Sequence, residues 1–143
     1  MKKLRCAQCG KGTIRPVASA GRREWYKTME VEVPADFAIP TCDRCGEEWL
    51  SVRQSQALDG VLETAYTAEL VRLASQQLAK LAGAAVEQKR IEHLLGLSQG
   101  YLSHVKAGRH APSPMLVAEL VLLAKDPERR LKELEAFWKR RAA

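Results

Sequence analysis

The four cysteines of this 143-residue chain fall in two C-x-x-C pairs, each followed by glycine: Cys6-Ala7-Gln8-Cys9-Gly10 and Cys42-Asp43-Arg44-Cys45-Gly46. Two intervening residues let one tight turn aim both sulfurs at a single point. The glycine lets the backbone take a positive φ and direct amides at the thiolates. Two such knuckles supply four thiolates, the closed tetrahedral shell of a structural zinc site, which implies one zinc ion per chain. Four protein ligands leave no position for water, so Lewis-acid catalysis is not expected there. The basic start, Met1-Lys2-Lys3-Leu4-Arg5, has no apolar stretch behind it, so the chain reads as a cytoplasmic protein without a signal peptide, a setting that disfavours disulfides. A redox dithiol would account for one pair and not for the second. An iron tetrathiolate would use the same four ligands, and the residues alone leave it open beside zinc.

The 32 residues between Cys9 and Cys42 are a long insert for such a site. Closure entropy grows only logarithmically with length, so the insert is tolerable if it folds as its own hairpin. Thr13–Val17 reads as a short strand, Ala20–Arg23 as a turn, and Trp25–Val33 as aromatic and β-branched strand sequence that Pro34 ends. Phe37, Ile39 and Trp49 are the expected core, and Trp25 reads as core filling rather than as a ligand surface. Residues 1–53 form the expected four-cysteine module.

From 54 to 82 there is no proline, and one long helix, or two with a bend at Gly60, is predicted. Leu58, Leu62, Tyr66, Leu70, Leu73 and Leu81 share a face that Glu69 and Gln77 interrupt. The latter half of this connector is expected to belong with residues 83–143. The net charge of +6 is uneven along the chain: residues 1–53 hold 10 Lys/Arg and 7 Asp/Glu, residues 54–82 hold 2 and 3, and residues 83–143 hold 11 and 7. A positive excess at both ends suits two working modules and a polyanionic partner. No apolar run is long enough to cross a bilayer.

Residues 83–143 carry the most informative stretch. A helix over Glu87–Leu95, with Ile91, Leu94 and Leu95 on one side, ends at Gly96. Leu97 plugs the turn, Ser98 reads as the N-cap of a second helix, Leu102 and Val105 are that helix's buried face, and Gly108 stops it. Helix, glycine, apolar residue, serine, helix is the layout in which the second helix enters a major groove. Ser113–Ala124 is then predicted as an apolar helix, and Asp126-Pro127 as the cap and first residue of a last helix through Arg140. Leu131, Leu134, Phe137 and Trp138 stripe that helix. Two apolar faces in so small a domain imply a homodimer.

Leu94-Leu95-Gly96-Leu97-Ser98, Leu102-Ser103 and Lys106-Ala107-Gly108-Arg109 with Pro112 beyond resemble the Xre/Cro/phage-repressor family of helix-turn-helix domains. With two C-x-x-C-G knuckles ahead of them, nearly the whole chain resembles the MqsA-type antitoxins. The resemblance implies an α+β chain with a four-cysteine zinc module, a long connector helix and an all-α domain that dimerises on a palindromic operator of double-stranded DNA. It also implies a transcriptional repressor, plausible as an autoregulating antitoxin whose N-terminal module binds a toxin. Carried over by position, Gln88 would touch a phosphate, Gln99 and His104 would face base edges with Ser103 beside them, and Lys106 and Arg109 would reach phosphates. Gly100 departs from the family, since a base-reading side chain often stands there. It leaves room for shape readout or close backbone approach. The competing reading is an adaptor whose zinc module binds protein and whose helical half only dimerises. No Ser/His/Asp set, phosphate loop or carboxylate pair points to an enzyme.

Overall fold

The computed structural model describes residues 4–141. Its elements are β1 (Ile14–Ala18), β2 (Arg23–Tyr26), β3 (Met29–Glu32), β4 (Ala38–Cys42), α1 (Val52–Gly83), α2 (Gln88–Leu94), α3 (Tyr101–Lys106), α4 (Pro114–Lys125) and α5 (Pro127–Lys139). A cysteine-bearing hairpin module, a long helix and a C-terminal helical bundle follow one another in the expected order. Two compact units divide the chain, Met1–Tyr66 and Thr67–Ala143, so the expected connector over 54–82 is shared between them. Among the described residues no helix is long and apolar enough to cross a membrane.

In the first unit β1 pairs antiparallel with β4, from Ile14 opposite Cys42 to Ala18 opposite Ala38. Nested between them, β2 pairs with β3, from Arg23 opposite Glu32 to Tyr26 opposite Met29. The stretch Trp25–Val33 is therefore not one strand. It reverses at Lys27, whose φ of 52° is the left-handed value a tight turn needs. Val31, Val33 and Ile39 are buried, but Trp25 is 70% exposed and Trp49 37%. This corrects the expected core: alternation along β2 turns Glu24 and Tyr26 inward and Trp25 outward. Tyr26 meets Tyr66 of α1 edge to face at 5.8 Å. Its hydroxyl donates to Glu63 at 2.8 Å, and Thr28 pairs with the Tyr66 hydroxyl at 2.8 Å.

α1 is a single helix of 32 residues that runs through Gly60. It starts earlier than predicted because Ser51 and Gln54 form a reciprocal cap, Gln54 N to Ser51 Oγ at 3.3 Å and Ser51 N to Gln54 Oε1 at 3.0 Å. Its end is a left-handed turn at Ala85, where Val86 N reaches Leu81 O at 3.0 Å and Ala85 N reaches Ala82 O at 3.0 Å. α2 ends the same way at Gly96, with Leu97 N on Glu92 O at 2.8 Å, and α3 at Gly108, with Arg109 N on His104 O at 2.9 Å. Glycine marked two of these stops in the sequence, whereas alanine hid the third.

The second unit buries Leu70, Ala74, Leu78 and Leu81 of α1, together with residues from all four shorter helices, among them Ile91, Leu102, Leu120 and Leu131. Gln77 is buried with them, while Leu73 is only partly covered. Ser113 caps α4 by accepting from Leu116 N at 3.1 Å, and Asp126 caps α5 by accepting from Arg129 N at 3.4 Å. α4 is not covered all round: Met115 is 75% exposed and Leu122 44%.

Candidate metal centre and helix-turn-helix face

Pairing of β1 with β4 sets the two knuckles side by side. Each is built from matched hydrogen bonds: Gly10 N to Cys6 O at 2.9 Å and Gly46 N to Cys42 O at 3.1 Å, then Cys6 N to Gly12 O at 3.0 Å and Cys42 N to Glu47 O at 2.8 Å. Gly10 and Gly46 have φ of 65° and 74°, the turn for which glycine stands after each pair. Asp43 and Thr13 bind the knuckles together, through Asp43 N to Thr13 O at 3.1 Å and Thr13 N to Asp43 Oδ1 at 2.8 Å.

The four sulfurs, of Cys6, Cys9, Cys42 and Cys45, all lie within 4.8 Å of one another. The Cys6–Cys45 separation is 3.7 Å and the Cys9–Cys42 separation 3.8 Å. A tetrahedron with metal–sulfur bonds of about 2.3 Å has edges of about 3.8 Å, so the cluster fits a single metal ion. It does not fit a disulfide, whose sulfurs lie about 2.05 Å apart, and all four thiols are free. The amides of Lys11 and Gly12 donate to Cys9 and pull its thiol down to about 6. At Cys45 the Glu47 amide also pulls down, but partial desolvation of this exposed sulfur and its three neighbouring sulfurs outweigh it and push the thiol up to about 12. Four thiolates this close would repel one another, so ionising all four would call for a cation among them. Arg5, Lys11 and Arg44 line a depression of about 620 Å³ beside the knuckles and offset the negative charge a metal tetrathiolate would carry.

One residue of this centre went unread in the sequence. A Cβ on Gly12 would stand 2.2 Å from Cys42 Sγ, and the Gly12 amide donates to Cys9 Sγ at 3.4 Å. Only its place two residues after Gly10 hinted at a role.

In the second unit α2 and α3 form a helix pair around Leu94, Leu102 and Val105, the last two fully buried. The helix start differs from the prediction. Ser98 is not an N-cap: its carbonyl accepts from Tyr101 N at 3.1 Å in a turn, and α3 starts at Tyr101 after Gly100. Gly100 has φ of 83°, which a residue without Cβ adopts freely, and so the helix is shortened by its first turn. Gln99 consequently lies in the turn, exposed, and not on α3. Ser103, His104 and Lys106 are exposed on α3, and Arg109 is exposed just beyond it.

Gln88, at the first position of α2, turns to α3 and donates to Ser103 Oγ at 2.7 Å. His110, outside the expected set, packs between Tyr101 (stacked, 5.8 Å) and His104 (5.3 Å). Glu92 is buried behind the turn and also went unread. Arg90 is held by Glu135 of α5 at 2.6 Å, and the Trp138 indole donates to Leu94 O at 3.0 Å, so α5 fixes the back of α2. No family model matches the chain, and no curated protein matches it significantly.

Proposed function

We propose that the chain is a sequence-specific DNA-binding transcriptional regulator, a repressor of the autoregulating antitoxin kind, whose cysteine module holds one zinc ion per chain. The observation that carries this is the α2–turn–α3 pair: Leu102 and Val105 are fully buried on one side of α3, and Ser103, His104 and Lys106 are exposed on the other. A short helix anchored on its apolar side and polar and cationic on its free side suits a major groove. Ser103 and His104 are its base-edge residues, with Gln99 in the preceding turn close enough in sequence to join them and Gly100, lacking a side chain, leaving room for close approach. Lys106 and Arg109 serve the phosphates. Gln88 acts through Ser103 in the free protein.

Zinc would cross-link the two knuckles and supply no open coordination position, so the ion is structural. The dimer expected of a palindromic operator has apolar surface available to it in Met115, Leu122, Phe137 and Trp138, all exposed on α4 and α5. An adaptor role for the first unit is favoured by one observation, the exposed Trp25 and Val17 on its hairpins, which would suit a protein partner such as a toxin.

Fluorescence anisotropy with the gene's own upstream region and a scrambled duplex, at two salt concentrations, tests the DNA reading. His104→Ala should cost on the order of 1–3 kcal/mol on the first duplex and little on the second. Arg109→Ala should weaken both alike and lower the salt slope by about one ion. Failure of the wild-type protein to bind either duplex leaves the adaptor.

A further inference from the structure

α3 has six residues, too few to hold a helix by themselves, and its N-cap, Gly100, has no side chain to close the first turn. What closes it comes from α2. The Glu92 carboxylate, on a residue only 3% exposed, accepts from Gly100 N at 3.0 Å and from Leu102 N at 2.9 Å. Gln88 donates to the same carboxylate at 3.2 Å and to Ser103 Oγ at 2.7 Å. One buried anion thus holds both ends of the Gly100–Leu102 turn, and its neighbour holds an outward-facing residue of α3.

We infer that Glu92 is the positioning residue of the reading head: through Gly100, Leu102 and Gln88 it fixes the pose in which α3 offers Ser103 and His104 to base edges. This rests on the DNA-binding reading above. Burying a carboxylate is costly, and the cost is offset here by the backbone amides of Gly100 and Leu102 and by Gln88. Those amides are the ones a helix start would otherwise turn toward a phosphate. With Glu92 on them, α3 meets DNA by side chains alone, and their placement follows from the carboxylate. A charge-assisted pair of hydrogen bonds is also more directional than packing, which suits a helix whose apolar side rests on just Leu102 and Val105.

The test uses the full chain with its metal, comparing wild type, Glu92→Gln, Glu92→Asp and the core variant Leu78→Ala. Glu92→Gln keeps the volume but sets an amide N–H against at least one of the three donors, and Glu92→Asp keeps the charge with a shorter reach. For Glu92→Gln, affinity for the upstream duplex should fall about 10-fold or more while the scrambled duplex changes less than about 2-fold. Glu92→Asp should fall between it and wild type.

In the amide spectrum of Glu92→Gln, the Gly100 and Leu102 resonances should move and exchange faster while the α4 and α5 amides stay put. Leu78→Ala, destabilised away from this network, should keep the wild-type ratio between duplexes. Unchanged discrimination in Glu92→Gln, or parallel loss on both duplexes as in a globally loosened domain, overturns the inference while leaving the DNA reading intact. A wild-type protein that does not discriminate between the duplexes removes the DNA reading itself, and the inference with it.

Discussion

Among the described residues, the unit Met1–Tyr66 buries Val31, Val33, Ile39, Leu62 and Tyr66 with two of its cysteines, whereas Thr67–Ala143 buries fourteen apolar side chains, thirteen from five helices and Val86 from the turn after α1. The first has two two-stranded sheets, neither of which is stable alone in water. What it has instead is a four-sulfur cluster joining the two ends of its chain path. The second has the larger apolar interior, and its buried carboxylate Glu92 sits between α2 and α3. The comparison separates two ways of fixing a small unit, by a few strong bonds to one point or by many weak contacts over an area.

Removing the metal should act on one side of this contrast only. Chelation, or Cys42→Ser, is expected to unfold the first unit, a loss on the order of 10 kcal/mol of binding free energy, and to leave the second folded. Elemental analysis should give one zinc per chain before and none after. Hydrogen exchange should collapse across β1–β4 and persist in α2–α5. An iron-type visible absorption in fresh protein would change the metal without changing the contrast. Next in size, Gly12→Ala should reduce metal retention nearly as much as loss of a ligand, because its methyl would occupy the space of Cys42 Sγ. Gly10→Ala, with open space around it but φ of 65°, should cost only about 1–2 kcal/mol.

On the other side, Leu120→Ala, at a fully buried position of α4, should cost about 2–5 kcal/mol in the second unit and leave zinc content unchanged. Simultaneous melting of both units in that variant would break the contrast. Acid should sharpen it. Burial raises the Glu92 carboxyl, but the Gly100 and Leu102 amides, Gln88 and the Lys106 charge outweigh this and leave it below the usual range. A carboxylate depressed in the folded state stabilises above its unfolded value of about 4.3, and that contribution is lost as pH falls through the folded one. Glu92→Gln should therefore flatten the acid limb of the second unit below about pH 4.3. The smallest effect is at Ala85, held at φ of 58°: Ala85→Gly should stabilise the second unit by about 0.5–1 kcal/mol, read from denaturant midpoints.

The cluster and the helix order were legible because each is announced by residue type at fixed spacing: Cys and Gly in the knuckles, Ser113 and Asp126 at caps. What escaped depended on partners distant in sequence. Gly12 matters because of Cys42, thirty residues on, and Glu92 because Gly100 turned left-handed and removed Ser98 from the cap. Trp25 was misassigned for a similar reason, since hydrophobicity does not say which side of β2 faces Val31 and Val33. The Trp25–Val33 run looked continuous because its turn at Lys27-Thr28 contains neither glycine nor proline.

The matched knuckles have one asymmetry within each pair. Cys6 and Cys42, the first of each, are buried, Cys9 is half-covered, and Cys45 is exposed. Four equivalent bonds to a metal would then be inequivalent in time. A competing chelator or an alkylating reagent would reach Cys45 first and Cys9 next, while the buried pair still held the ion. Metal exchange at such a centre would accordingly be a sequence of ligand departures from one open side, with its rate governed by two sulfurs out of four.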